Sequence, residues 1–193
     1  MAILVLGLVI FLGLHSIRIF AEPLRAQAIA RLGEGPWKGI YSLLSAIGFV
    51  LIVWGFAQAR FDAPELWTPP PGARHATISL MLVSMLIFAG FFFKQSHIAV
   101  AVHHPMVWGV AVFGLAHLIA NGSAADVLLF GTFFVWALAD LASSYARDRR
   151  SAVVYAGANW RATIGAIVVG LVLWAVIAFW LHLWLFGVSP LAA

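Results

Sequence analysis

The chain has 193 residues, of which 64% are hydrophobic and 9% charged, and its mean hydropathy is +1.02. That composition excludes an ordinary water-soluble domain and reads as an integral membrane protein, while the absence of cysteine excludes disulfides, iron–sulfur clusters, thiolate zinc, covalent c-type haem attachment and cysteine nucleophiles. The formal charge of +4 comes from basic residues in loops between apolar runs, where they orient a chain against anionic lipid, so membrane lipid and no nucleic acid is the expected partner.

A helix needs about 20 mainly apolar residues to cross roughly 30 Å of hydrocarbon. From the N-terminus onward the chain offers six such runs, at 2–20, 37–59, 76–94, 105–121, 124–145 and 162–187. The first lacks a basic n-region and carries Arg18 at its far end, so it reads as a retained helix and not a cleaved signal peptide, despite the "AQA" at 26–28. Pro36 suits the first turn of the second helix. "APELWTPPPGAR" at 63–74 reads as an extended surface loop with Trp67 at the interface. Pro105 opens the fourth run, and "SAAD" at 123–126 has the form of a capping box opening the fifth. The runs nearly exhaust the chain and predict an all-α, polytopic integral membrane bundle of about six transmembrane helices, one domain over 1–193.

The 11 Lys and Arg residues are unevenly spread. Arg18, Arg25, Arg31 and Lys38 belong to the first loop, Lys94 to the third, and Arg147, Arg149, Arg150 and Arg161 to the fifth; only Arg60 and Arg74 lie in the second, and the fourth has none. The positive-inside rule then predicts both termini outside the cytoplasm, which in the expected bacterial inner membrane protein is the periplasm.

Given that topology and a rise of about 1.5 Å per residue, the histidines sort into two layers. His15, His97, His103 and His104 lie towards the cytoplasmic side with Arg18, Asp140 and Arg161; His75, His117 and His182 lie towards the other. Ionisable groups in a span are costly and are functional candidates by default. A lone histidine near an interface can also snorkel or bond a carbonyl, which suffices for His75, His97 and His182, and Asp140 can equally pair with Arg161 or cap a helix end. His104 is distinctive. A residue before proline is driven out of the α region, so His104 takes the N-cap position of the fourth helix, where the positive end of the helix dipole disfavours the imidazolium and leaves a lone pair for a metal. The plainer alternative is a ring that merely caps the helix. His15 and Arg18 share a helix face at i,i+3, placing a nitrogen ligand beside a cation, as a haem with its propionates requires. His104 and His117 lie 13 residues apart, about 20 Å along one helix, which would also suit two stacked haems completed by His15 and His182.

"HSIRIF" at 15–20, "GEGPWKGIYSLLSAIGFVLIVWG" at 33–55 and "HPMVWGVAVFGLAHLIANG" at 104–122 resemble the NnrU family. Its members are polytopic membrane proteins linked to denitrification and nitric oxide metabolism, and the same domain forms the core of zeta-carotene isomerase, a haem b enzyme that isomerises a cis double bond in a polyene. The resemblance implies haem b as cofactor, His15 and His104 as iron ligands, Arg18 or Arg161 near the propionates, and either nitric-oxide-linked redox chemistry or isomerisation of an apolar polyene. The family commonly has arginine where this chain has His103, which leaves either adjacent ring as the ligand. A non-enzymatic assembly or regulatory protein without haem is the alternative. The "HP" block is also similar to a motif of membrane methyltransferases, but of that motif only His104, Pro105 and Gly109 remain.

Overall fold

The computed structural model describes residues 1–155 and 157–191. Among these, eight helical elements follow one another and no strand forms: α1 (Ala2–Phe20), α2 (Glu22–Leu32), α3 (Glu34–Asp62), α4 (Ala73–Ala89), α5 (His97–Val102), α6 (Pro105–Ala120), α7 (Ala124–Arg150) and α8 (Trp160–Phe186). Helices α7 and α8 each contain one widened π turn, Val127–Gly131 and Ile177–Leu181.

The six apolar runs recur as α1, α3, α4, α6, α7 and α8, with three departures. Residues 22–32, read as loop, form α2, because Ala, Leu, Arg and Gln favour helix even where too polar to span, and Arg25 bonds Glu22 at 2.8 Å. The third run stops at Ala89, not 94: the chain turns at Gly90, where a Cβ would come within 3.2 Å of Pro105 and 3.3 Å of Ala99. After it, Ser96 caps the short α5 by accepting from the Ala99 N–H. Ser123 caps α7 in the expected box, accepting from the Asp126 N–H while its hydroxyl donates to the Asp126 carboxylate at 2.5 Å. The proline-rich loop is pinned to the α6–α7 turn by Leu66 N–H to Gly122 O and Ala124 N–H to Pro64 O.

Helices α1, α3, α7 and α8 are long and apolar enough to cross a membrane; α4 and α6, at 17 and 16 residues, are shorter apolar helices. Lipid gives apolar side chains no reason to leave it, so small residues and interhelical hydrogen bonds must join the spans. They do so pairwise. Gly7, Gly48 and Gly55 let α1 and α3 meet backbone to backbone, a Cβ on Gly55 coming to 2.3 Å from Leu4 N. Ser84 and Thr77 on α4 each donate at 2.8 Å to α6, to Gly109 O and Ala116 O. Gly114 lies against Phe130 and Phe134 of α7, Gly170 of α8 against Leu86 of α4, and Phe11 and His15 of α1 against Phe133 and Trp136 of α7. The helices thus form a row, α3–α1–α7–α6–α4–α8, in which only α1 and α7 run parallel. Its two edges meet where Arg60 Nη1 of α3 donates to Phe186 O of α8 at 3.1 Å, at the end of the bundle that carries Met1.

Candidate functional site

At the opposite end lies a cavity of about 710 Å³, walled by α1, α3, α7, the Gly90–Lys94 turn and the α5–α6 junction. His15 and His104 both line it, as do Arg18 and His103.

His15 projects from the fourth turn of α1, half-buried. Its Nδ1 donates to Phe11 O at 2.7 Å, which fixes the proton on that nitrogen, and the ring stacks on Phe11 at 4.2 Å. Nε2 has no partner among the described residues. Tyr41 and Trp136 flank the ring at 5.4 and 6.1 Å. A carbonyl holding one ring nitrogen while the other stays open is the arrangement that orients a histidine for a metal.

His104 is the N-cap residue of α6, with φ −117° and ψ 63°, and its side chain makes no capping bond. The ring is turned to Asp148, with Nε2 at 2.7 Å from Oδ2, buried and out of line for a well-formed hydrogen bond. Nδ1 has no partner among the described residues. Tyr145 meets the ring edge-on at 4.9 Å and is itself fixed, donating to Val102 O at 2.7 Å and accepting from Trp108 Nε1 at 2.8 Å. Tyr155 donates to the Asp148 carboxylate; desolvation and that neighbouring charge push its phenol up to about 12, so it stays a donor. Its ring stacks on His103 at 3.6 Å, and His103 sits at φ 56°, unusual for a side chain with a Cβ. The adjacent histidines therefore differ: one is backed by a carboxylate, the other covered by an aromatic face.

The cavity is cationic. Arg18, Arg25, Lys38, Lys94 and Arg147 line it against the single carboxylate of Asp140. Arg25 and Lys38 are paired with Glu22 and Glu34, and Arg147 reaches Ser143, Ser144 and, at 3.8 Å, Asp140. Arg18 and Lys94 have no acidic partner among the described residues. Asp140 thus pairs with Arg147 and not Arg161. Arg161 is exposed and outside the cavity lining, since its helix start is anchored by His97, whose N–H and Nδ1 lie 3.0 and 2.7 Å from Thr163 Oγ1 and whose ring meets Trp160 at 4.5 Å.

The sequence reading missed Lys94, Tyr41, Trp136 and Asp148. A signal existed for one face: Trp136, Asp140, Ser144 and Arg147 fall at helical spacing and all line the cavity. Of the other layer, His117 lies between Phe113 and Phe130, and His182 bonds Val188 O at 2.7 Å. Among the described residues no three His, Cys, Asp or Glu side chains gather as a metal site.

Fold and cavity together define a polytopic helical membrane protein with a histidine-lined, positively charged cavity at one end of its bundle. The family model described as NnrU protein matches residues 3–190, nearly the whole chain. The protein belongs to the NnrU family. No curated protein and no solved structure matches it.

Proposed function

We propose that the cavity binds one haem b between His15 and His104, in a bacterial inner membrane protein whose six apolar helices all cross the bilayer, with the cavity at the cytoplasmic end and both termini periplasmic. The observation that carries this is the convergence on one cavity of two histidines from distant segments, each with a ring nitrogen uncommitted. Two nitrogen donors suit a metal that brings its own equatorial ligands. A volume of about 710 Å³ falls within the 300–1,000 Å³ or so usual for cofactor pockets.

Each residue then has a task. Phe11 O holds the His15 tautomer, and the Asp148 carboxylate, 2.7 Å from Nε2, stands behind the His104 ring. Arg18 and Lys94 offer two unpaired cations to two propionates, Lys94 taking the place the sequence suggested for Arg161. Trp136, Tyr41 and Leu14 exclude water around the ligands. Bound there, haem would supply redox-active iron for nitric-oxide-linked chemistry or for cis–trans isomerisation of a polyene drawn from lipid.

Protein purified after haem-replete expression should yield about one haem b per chain by pyridine haemochrome. A yield near two would require a second ligand layer at His117, and none would favour the non-haem assembly or regulatory role. Reporters in 63–72 should register as periplasmic and reporters in 151–159 as cytoplasmic; the reverse would invert the proposed orientation.

A further inference from the structure

Among the described residues, two that are not glycine have positive φ, Ala152 at 47° and His103 at 56°. A side chain makes that backbone costly, and it persists only where surrounding contacts hold it. Both residues serve one contact at the mouth of the cavity. At the end of α7, Val153 N–H bonds Asp148 O at 3.1 Å and Ala152 N–H bonds Arg149 O at 3.4 Å, the paired bonds of a Schellman turn, with Ala152 in the place glycine usually takes. The turn folds the chain back on its own helix and carries Val154, 93% exposed, and Tyr155 over the cavity, which both line. On the opposite side, His104 N–H bonds Val102 O at 2.6 Å across His103, whose φ of 56° and ψ of −41° make a γ-turn of the rare, strained hand. Tyr155 joins the two turns. Its hydroxyl donates to Asp148, and its ring lies on His103 at 3.6 Å and 10° from parallel. The N–H groups of 151–153 all bond back to α7, so it is the Tyr155 side chain that reaches the far wall.

We infer that 151–155 is a strap across the water-facing mouth of the cavity, latched by Tyr155 between Asp148 and His103, and that a water-borne ligand enters when the latch opens. One aromatic stack and one hydroxyl bond hold two strained turns against each other, so releasing Tyr155 relieves both, and the closed state is favoured only narrowly. The latch also touches the ligand side: Asp148 faces His104, so opening changes the surroundings of that ring. The inference rests on the proposed function only for haem as the ligand admitted; the strap itself follows from the contacts.

The protein has no cysteine, so Ser144→Cys places a single thiol on the cavity wall, at a site only 5% exposed. In nanodiscs, whose two faces are both open to water, a small anionic methanethiosulfonate reagent should label this thiol slowly. Tyr155→Ala in the same background should speed the reaction about tenfold, and Tyr155→Phe, which keeps the ring and loses the hydroxyl, by less. Labelling of an exposed Leu66→Cys control at the far end of the bundle should not change. Should Ser144→Cys not fold, Val107→Cys, 8% exposed in the same cavity, serves the same purpose. An unaltered rate in Tyr155→Ala, or labelling with Tyr155 intact that already matches the Leu66→Cys control, overturns the strap. The ratio of rates is read on protein as purified and needs no haem, so a missing haem spectrum would overturn the proposed function and leave this result standing.

Discussion

His15 and His117 obey one local rule and end in different chemistry. Each donates from Nδ1 to the carbonyl four residues back, Phe11 O at 2.7 Å and Phe113 O at 3.0 Å, and each leans on the phenylalanine at that position. The second face of the ring decides the rest. Beside His15 the bundle opens into the cationic cavity; against His117 the Phe130 ring closes at 4.5 Å and 26°. Helix geometry therefore sets tautomer and first contact, whereas the neighbouring helix sets whether the remaining nitrogen can meet a ligand.

The sharpest way to break this comparison is to delete the rings. On the proposed haem site, His15→Ala should abolish haem retention, and His104→Ala should do the same, because both nitrogens would serve one iron. His103→Arg should keep the haem, since the carboxylate stands behind His104 alone. His117→Ala should also keep the haem while losing about 2 kcal/mol of stability from the space left between two phenylalanines. Visible spectra and thermal unfolding of detergent-purified protein read both effects. Haem lost from His117→Ala at normal folding would end the distinction between the layers.

A smaller effect is expected from the cations. Arg18→Gln and Lys94→Gln each remove a charge that no carboxylate balances, at a cost of about 1.5–3 kcal/mol per charge-assisted bond, or a tenfold or greater rise in the rate of haem transfer to a scavenger protein. Arg161→Gln should leave that rate unchanged. The contrast is informative because the sequence puts Arg161 and Lys94 at the same end of the bundle.

What the sequence made legible follows from the physics each signal carries. Six apolar runs survive as helices because hydropathy over about 20 residues is a strong signal, and His104 takes its N-cap position because proline restricts its neighbour regardless of tertiary context. Helices α2 and α5 escaped a search tuned to apolar length. That Lys94 lines the cavity and Arg161 does not has a reason local sequence does not hold: the Gly90 turn leaves Lys94 at the cavity wall, while Thr163 clamped to His97 leaves Arg161 outside. The π turn at Val127–Gly131, which contains the Phe130 that closes over His117, has no proline or other marker in "VLLFG".

The finest test concerns a polar group belonging to neither histidine layer. Ser84 is 1% exposed and donates to Gly109 O across the α4–α6 contact at 2.8 Å. Serine hydroxyls between spans commonly join helices, and here the accepting carbonyl is a helical one and the serine sits beside a glycine at a close approach, a Cβ on Gly109 meeting Phe88 Cβ at 3.0 Å. The bond is packing between spans, and such bonds average about 0.6 kcal/mol. Ser84→Ala should therefore lower stability by about that much and leave haem content, spectrum and haem-transfer rate at parental values. A spectral change without a stability change would mean that α4 and α6 transmit strain to His104 at the α6 N-terminus, and the division between scaffold and cavity would have to be redrawn along that helix.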